Sequence, residues 1–368
     1  MADVVDISCK WRAHPKYRSW HGSGDIPIVT REHLASWSIT DCPVRPRYVL
    51  NTSGSEGAHK LIFLSSKAVE SQIAQGSRLF LEEIKADDVV GSLLDNVILD
   101  VGFDRLLPAM IIHCGVLTEH NMDLLCFKLE SAGVSVLVGF VSHVFEILKH
   151  VDALPSLRLI MLTGGKVTRE CMQFFSSKVP TARVRMFYAA TEVGIVASQA
   201  DDGWFHVLGG SLVLEVRDDN GRISKEGVGD LLITDLMNES MPIVRYLIGD
   251  RVELRSEGSV RLIKILGRSD DQIKIWGDVC SKDSLAALVE SAIGHPEFSL
   301  ELRHAADGVH DEVVVCVAHA TPAQVAQLRE RIATVHGVDV SIVMGGLVHR
   351  TTSGKIVHVV DCRNGFIP

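Results

Sequence analysis

Short apolar runs typical of strands alternate with runs of helical periodicity through the first half of this sequence. The alternation predicts an α/β fold with largely parallel sheets, because helices must cover the faces of a parallel sheet. Ligands of such sheets bind at the carboxyl ends of the strands, so we expect the functional site in the loops that follow strands 157–162 and 184–188. Other strands are predicted at 97–101 and 134–138, and helices at 121–132 and 141–150.

The second half of the sequence has a different pattern of predicted elements. Its β-rich runs are joined by turns such as Asp219-Asn220-Gly221, which predicts an antiparallel sheet or a barrel-like subdomain. A small α+β unit is predicted after Asp270. The antiparallel strands are predicted at 212–216, 231–234, 251–254 and 260–265, with a further strand-like run at 242–244. The α+β unit has predicted helices at 282–293 and 322–335 and strands at 311–318 and 339–344.

The composition is that of an ordinary globular chain, since 46% of the 368 residues are hydrophobic and 23% are charged. A formal net charge of −9 and the lack of a basic cluster argue against a nucleic-acid partner. No apolar run approaches the length of a membrane-spanning helix, and the charged N-terminus has no signal-peptide core. We therefore expect a cytoplasmic protein without a membrane partner. The sequence does not indicate an oligomeric state.

The residue patterns of several catalytic classes are absent from the sequence. The eight cysteines are scattered without a Cys-x-x-Cys pair, and the 16 histidines form no His-Glu-x-x-His array. No Gly-x-Ser-x-Gly motif is present, so a serine hydrolase of that type has no support. The cysteines are expected to be reduced and mostly buried.

A run of small, hydroxylated residues that ends in a lysine indicates a phosphate-binding loop. Glycines allow positive φ and bring backbone N–H groups against an anion, while the hydroxyls and the lysine add donors and charge. An ordinary surface turn is the alternative interpretation of such a run. The spacing is not that of a Walker A loop, which leaves little support for a P-loop phosphotransferase. The run is Thr52-Ser53-Gly54-Ser55-Glu56-Gly57-Ala58-His59-Lys60.

Four further motifs follow this loop in order, and together the five resemble those of the adenylate-forming enzymes. That family includes acyl-CoA synthetases, luciferases and the adenylation domains of non-ribosomal peptide synthetases. The resemblance covers roughly residues 24 to 360. The four motifs are Tyr188-Ala189-Ala190-Thr191-Glu192, Arg245-Tyr246-Leu247-Ile248-Gly249-Asp250, Gly267-Arg268-Ser269-Asp270 with its continuation to Gly277, and Thr351-Thr352-Ser353-Gly354-Lys355.

The resemblance implies an enzyme that uses ATP and Mg²⁺ to convert a carboxylic acid into an acyl adenylate, with release of pyrophosphate. In the family, the residue that matches Lys355 enters the site when a small C-terminal domain rotates in. The residues that match Thr191 and Glu192 contact the α-phosphate and Mg²⁺. Local patterns alone leave open that Lys355 is an exposed lysine after a turn and that Thr191 caps a helix.

The same resemblance implies the nucleotide site. It would be formed by residues of the phosphate loop, by glycines after the strand at 157–162, by an aromatic near the adenine, by an aspartate that accepts hydrogen bonds from the ribose and by an arginine near the ribose and phosphates. These residues are Thr52, Ser53, Gly54, Ser55, Gly57, Lys60, Gly164, Gly165, Tyr188, Asp250 and Arg268.

Domain boundaries and a substrate pocket are likewise implied by the family. Residues 1–269 would be the adenylate-forming core, and residues 270–368 a mobile C-terminal lid with its hinge at Asp270. The segment 25–34 resembles an early signature of the phenylacetate–CoA ligase-like branch, which acts on aryl acids. The N-terminal region is shorter than in that branch. The pocket residues implied by position are Phe103, Ile112, His113, Phe140, Ala189 and Ala190.

Three residues depart from the family pattern. Glu56 replaces a threonine of the phosphate loop, His59 replaces a proline, and Ala189 replaces a glycine. A carboxylate about 5 Å from a phosphate costs roughly 3 kcal/mol per unit charge at an effective dielectric constant near 20. The leading hypothesis is a working enzyme, and the second is a ligand-binding or scaffold protein that has lost turnover.

The sequence does not identify the acyl acceptor or the pathway. Coenzyme A is the family default, while a carrier protein, an amine or a partner reductase are the alternatives. The compact size also resembles the small adenylating proteins of phenazine biosynthesis of the griseoluteic acid type. These features suggest aromatic acid metabolism or aromatic secondary metabolism.

Overall fold

A computed structural model of the protein describes most of the chain. The described residues are 4–20, 26–52, 60–94, 102–103, 105–115, 117, 121–164, 167, 169–200, 203–268, 272–275, 278–304, 311–336, 340–346, 348–351 and 354–362. The predicted strand at 97–101 and the hinge residue Asp270 lie outside these residues.

The helices of the first part are α1 (Val4–Trp11), α2 (Pro15–Trp20), α3 (Arg31–Ala35), α4 (Ser66–Glu83), α5 (Met122–Ser131), α6 (Val141–His150) and α7 (Arg169–Lys178). A small hairpin is formed by β1 (Tyr48–Thr52) and β2 (Lys60–Leu64). It carries the two ends of the predicted phosphate loop.

A 12-stranded sheet organises the first part of the chain. Its parallel half contains β3 (Val89–Ser92), β4 (Met110–His113), β5 (Val136–Phe140), β6 (Leu159–Thr163) and β7 (Arg183–Ala190). In the sheet, β4 lies at the edge, followed by β3, β5, β6 and β7. The residues of β5 and β6 are almost entirely buried, as expected for central strands with helices on both faces.

The antiparallel half continues from β7 and contains β8 (Gly194–Gln199), β9 (Phe205–Val207), β10 (Leu212–Arg217), β11 (Ile223–Ser224), β12 (Gly227–Asp235), β13 (Tyr246–Glu257) and β14 (Val260–Arg268). This half corresponds to the predicted barrel-like subdomain, and the ladders among the described strands do not close it into a barrel. The predicted α/β fold class is confirmed.

The C-terminal part builds a separate four-stranded sheet with its own apolar core. Its elements are the hairpin β15 (Gln272–Ile275) and β16 (Asp278–Ser281), α8 (Lys282–Ile293), β17 (Phe298–His304), β18 (Asp311–Val317), α9 (Pro322–His336), β19 (Val340–Met344) and β20 (Val359–Asp361). The helices α8 and α9 pack together and cover the sheet. The boundary at residues 269 and 270 stays a prediction.

The structure corrects one local expectation and removes one alternative interpretation. Residues 242–244 are not a strand; Ile243 donates its N–H to the Met241 carbonyl in a turn that precedes β13. Thr191 does not cap a helix, because the chain turns at 191–193 from β7 directly into the antiparallel strand β8. Both segments contain residues that either a strand or a helix end could use, so only the tertiary pairing decides their conformation.

Candidate active site

A buried cluster of one lysine, one glutamate and one tyrosine lies where the small hairpin meets the large sheet. Lys60, the first residue of β2, donates to Glu192 Oε1 and to Tyr246 Oη, the latter at 2.7 Å. The Tyr246 hydroxyl donates to the same Glu192 oxygen at 3.1 Å. Lys60 and Glu192 are only 3% and 7% exposed. Three distant segments therefore converge through one carboxylate.

The Glu192 carboxylate is held as an anion. Burial raises the pKa of Glu192, but the Lys60 ammonium and the hydrogen bonds from Lys60 and Tyr246 outweigh burial, so the pKa lies below its ordinary value. The turn that carries Glu192 is closed by a bond from Val193 N–H to the Ala190 carbonyl, and Gly194 follows with φ of +75°. A glycine is favoured there because other residues rarely adopt positive φ.

Tyr246 is placed by an unusual backbone conformation at its neighbour. Arg245 has φ of +44°, which is rare for a residue other than glycine. Its N–H donates to Thr234 Oγ1 at 2.9 Å, and its guanidinium makes two bonds of 2.9 Å to the Glu215 carboxylate. These bonds hold the strained residue in place and so orient the start of β13. Sequence reasoning assigned no role to Arg245, Tyr246 or Glu215, although the motif Arg-Tyr-Leu-Ile-Gly-Asp was the available signal.

A second pair joins two of the predicted nucleotide-binding residues. The Tyr188 hydroxyl donates to Asp250 Oδ2 across the sheet, from β7 to β13. Asp250 also faces Arg268 in the ladder between β13 and β14. The Arg268 side chain lies outside the described part of the chain. Tyr188, Asp250 and the backbone of Arg268 are therefore brought to one region.

The predicted adenine loop follows β6 in the structure. Gly164 follows β6 with φ of +70°, and a Cβ there would lie 2.4 Å from Phe140 Cδ1. Only a glycine therefore fits over the Phe140 ring. Since β6 and β7 are parallel neighbours, the loops after them emerge at the same edge of the sheet. Gly165 lies outside the described residues.

Three of the six predicted pocket residues share one apolar cluster. Phe103, Phe140 and Ala189 pack into the core that Phe80 and Phe187 also form. The other three have different surroundings. Ile112 and His113 lie on the edge strand β4, with His113 exposed. Ala190 packs against a separate apolar cluster that includes Val193 and Tyr246.

A small, mostly apolar depression lies between α4 and Phe103. Gln72 of α4 lines this depression and is 5% exposed, and its Nε2 has no hydrogen-bond partner among the described residues. A Cβ at Gly194 would lie 3.0 Å from Gln72 Cγ, which places α4 beside the turn that carries Glu192. Sequence reasoning missed Gln72, because a glutamine on a helix gives no signal of its own.

Three hydrogen bonds close the turn that carries Lys355. Thr351 N–H donates to the Lys355 carbonyl at 2.8 Å, Gly354 N–H donates to the Thr351 carbonyl at 2.8 Å, and Lys355 N–H donates to Thr351 Oγ1 at 3.2 Å. The Lys355 side chain is exposed, and Gly354 packs against the first turn of α6. The C-terminal part thus contacts the core through this turn.

The phosphate loop itself lies outside the described residues. This holds for Ser53, Gly54, Ser55 and Gly57, and for the atypical Glu56 and His59. The side chain of Thr52 is also outside them, although its backbone pairs with Lys60 in the ladder between β1 and β2. The described part of the chain contains no group of three or more His, Cys, Asp or Glu side chains that could hold a metal. It also contains no helix long and apolar enough to cross a membrane.

Residues 29–235, more than half of the chain, match the family model described as AMP-binding enzyme. The chain belongs to the AMP-binding enzyme family. Its resemblance to the adenylate-forming enzymes, and its classification as a member of an enzyme family, are thereby confirmed. Phenylacetate-coenzyme A ligase of Escherichia coli (strain K12) is 33% identical over 150 residues, which are 37% of this chain and 34% of that protein. The match spans about a third of that ligase's length.

Solved structures of ligases share the fold of this AMP-binding family member. A 2-hydroxyisobutyryl-CoA ligase in the postadenylation state, in complex with 2-HIB-AMP, matches with a TM-score of 0.76 at 17% identity, over 99% of this chain and 89% of that chain. The same ligase in the thioesterification state matches with a TM-score of 0.62 at 18% identity, over 98% and 89%. An anthranilate CoA ligase in complex with anthranoyl-AMP matches with a TM-score of 0.61 at 16% identity, over 84% and 64%.

Proposed function

We propose that this protein activates an aromatic carboxylic acid with ATP, forming an acyl adenylate and pyrophosphate, and then transfers the acyl group to coenzyme A. The proposal rests above all on the buried cluster of Lys60, Glu192 and Tyr246. Glu192 is kept ionised beside Lys60, the last residue of the predicted phosphate loop. A carboxylate in this place is suited to binding the cation that accompanies a polyphosphate. A core position without function would seldom bury two opposite charges, because desolvation is costly.

The first half-reaction joins two anions, so the site must neutralise charge. An oxygen of the acid's carboxylate attacks the α-phosphorus of ATP, a bond from phosphorus to that oxygen forms, and the bond to pyrophosphate breaks. Lys355 would supply positive charge to the transition state, and Thr191 would hold the α-phosphate. Tyr188 and Asp250 would hold the adenosine, with the Asp250 carboxylate accepting from the ribose hydroxyls.

Glu192 has the chemistry that a magnesium ion requires. An ionised carboxylate with phosphate oxygens is a common ligand set for Mg²⁺, and the lowered pKa of Glu192 keeps it ionised. When bound, Mg²⁺ neutralises charge on the phosphates and on the leaving pyrophosphate. Lys60 would keep Glu192 charged and in place before the nucleotide arrives.

Coenzyme A is the acceptor that the names of the related ligases favour. In the second step the thiol sulfur bonds to the acyl carbon, AMP leaves, and the thiol proton passes to solvent. The whole chain fits the postadenylation structure better than the thioesterification structure of one ligase, with TM-scores of 0.76 and 0.62. This supports an arrangement of the C-terminal part like that of the postadenylation structure. A place in aromatic secondary metabolism such as phenazine biosynthesis, and a cytoplasmic location, remain parts of the proposal.

The test is pyrophosphate release over a panel of aryl acids with Mg-ATP, in the protein and in Lys355→Ala. Loss of one transition-state charge contact should lower the adenylation rate by about 10²–10³-fold. Lys225→Ala removes an exposed lysine from the turn between β11 and β12 and should leave the rate unchanged. Tight binding of acid and ATP without turnover would instead identify a ligand-binding protein. Release of pyrophosphate without thioester formation would point to a carrier protein or a partner reductase.

A further inference from the structure

A histidine of the core lies directly beneath the turn that carries Lys355. His143 is the third residue of α6 and is 1% exposed. A Cβ placed on Gly354 would lie 2.9 Å from His143 Nε2 and 3.2 Å from the Leu117 carbonyl oxygen. Gly354 also has φ of +78°. The backbone of the lysine-bearing turn therefore rests on the imidazole, and a glycine is what permits this close approach.

The same histidine is connected to the predicted adenine loop. The rings of His143 and Phe140 meet edge to face, with centroids 5.3 Å apart. The Phe140 ring in turn fills the space where Gly164 lacks a side chain. A continuous path of contacts therefore runs from Gly164 through Phe140 and His143 to Gly354. None of the sequence motifs contains His143.

We propose that His143 is a positioning residue that seats the turn of Gly354 and Lys355 on the core for adenylation, and that it does so as a neutral imidazole. The inference rests on the proposed function, because it concerns the step in which Lys355 would act. His143 itself would touch neither substrate. Its role would be to support the backbone from which Lys355 extends.

The surroundings of His143 disfavour a charged ring while the turn is docked. Burial lowers the pKa of His143, and the Arg350 guanidinium lowers it further, whereas Glu297 and the nearby backbone of Gly354 and Leu93 act in the opposite direction. Arg350 and Glu297 bond to each other at 2.8 Å, so their fields partly cancel. Neither ring nitrogen makes a well-formed hydrogen bond within the described residues. The ring also sits at a helix N-terminus, where positive charge is unfavourable.

Docking of the turn should therefore weaken as the pH falls. Once the turn moves away, the ring meets water and its pKa returns towards about 6.5. The undocked state then binds a proton more readily than the docked state. By linkage, the equilibrium constant for docking of the turn is at its maximum above about pH 6.5. Below that value it falls by up to about tenfold per pH unit.

The first experiment compares pH profiles of pyrophosphate release for the wild-type protein, His143→Gln and His150→Gln. His150 lies on the same helix but is exposed, and its ring bonds to Glu146. We expect the wild-type kcat to fall steeply below about pH 6.5 with a nearly constant KM for the acid. His143→Gln should have a lower kcat at pH 8 and a flatter acid limb, while His150→Gln should follow the wild-type profile. An acid limb that is identical in His143→Gln and the wild type would overturn the proposal.

The second experiment tests the contact between the ring and the turn. Gly354→Ala should lower the adenylation rate, because its Cβ would meet His143 Nε2. In a His143→Ala background the same substitution should cost clearly less, since the opposing atom is gone. Equal costs in both backgrounds would contradict the proposal.

A third measurement does not depend on activity. In the NMR spectrum of the whole protein labelled at the histidine ring carbons, the His143 resonance should titrate at lower pH in the wild type than in Gly354→Ala. Absence of pyrophosphate release with every acid would refute the proposed function, whereas this titration would still decide whether the turn is seated on His143. Identical titrations in the two proteins would refute the seating.

Discussion

Lys60 and Glu192, which are 132 residues apart in the sequence, form a buried ion pair that ties the end of the predicted phosphate loop to the turn after β7. Tyr246 of β13 completes the cluster and places its ring 4.8 Å from the Lys60 ammonium. A buried pair of this kind contributes little net stability but is costly to break on one side only. The cluster therefore holds these three segments together, and replacing one of its charged residues should be costly.

Lys60→Met should destabilise the protein by about 3–5 kcal/mol, because it leaves the Glu192 carboxylate buried without its partner. Urea unfolding followed by circular dichroism measures the difference. The matched control is Lys67→Met, which breaks the exposed pair with Glu239 and should cost less than about 1 kcal/mol. Equal destabilisation by the two substitutions would show that burial of the pair carries no cost.

Tyr188→Phe should weaken ATP binding and leave the acid site unchanged. The substitution removes the donor to Asp250 Oδ2, and a hydrogen bond to a charged group is worth about 1.5–3 kcal/mol. We expect the KM for ATP to rise by about 10-fold or more, with kcat changed by less than about twofold. Initial rates over a matrix of ATP and acid concentrations separate the two constants. A rise in the KM for the acid alone would place Tyr188 in the substrate pocket instead.

His358 should make the protein less stable in mild acid. Burial lowers its pKa from 6.5 to about 4, and the Lys355 and Arg350 charges act in the same direction. The unfolded chain therefore binds a proton between about pH 6.5 and pH 4 that the folded chain does not, so stability is present above pH 6.5 and is lost as the pH falls through this window. The full loss is up to about 3 kcal/mol.

Urea unfolding of the wild type and of His358→Gln at pH 7 and pH 5 checks this expectation. His358→Gln should show a smaller loss of stability between the two pH values. His150→Gln is the exposed control and should behave as the wild type does. If the wild type and His358→Gln lose the same free energy of unfolding, the acid sensitivity has another source.

Gly229→Ala should destabilise the antiparallel half of the sheet. A Cβ at Gly229 would lie 2.2 Å from the Arg217 carbonyl oxygen, and a backbone atom in a paired strand cannot move away without breaking the ladder. We expect a loss of about 1–3 kcal/mol or more. Gly102→Ala is the control, because its Cβ would meet Ile73 at an ordinary 3.7 Å. Comparable urea midpoints for the two variants would contradict the expectation.

Much of the candidate site could be predicted from the sequence, since each motif is a short local run. The phosphate-loop lysine, the turn with Glu192 and the strand residue Asp250 each lie in a motif that the sequence alone shows. Residues without a local pattern could not be named. Gln72 is one glutamine on an ordinary helix, and His143 becomes notable only because a turn more than 200 residues later rests on it.

The sequence by itself determined the α/β class, the family and the order of the motifs, because strand and helix periodicity and motif spacing are properties of local segments. Tertiary structure alone decided that Lys60 reaches Glu192, that Tyr188 reaches Asp250, and that Gly354 lies on His143. The physical reason is that a contact between distant segments depends on strand order, register and the packing of the C-terminal part. None of these is encoded in the neighbours of any one residue.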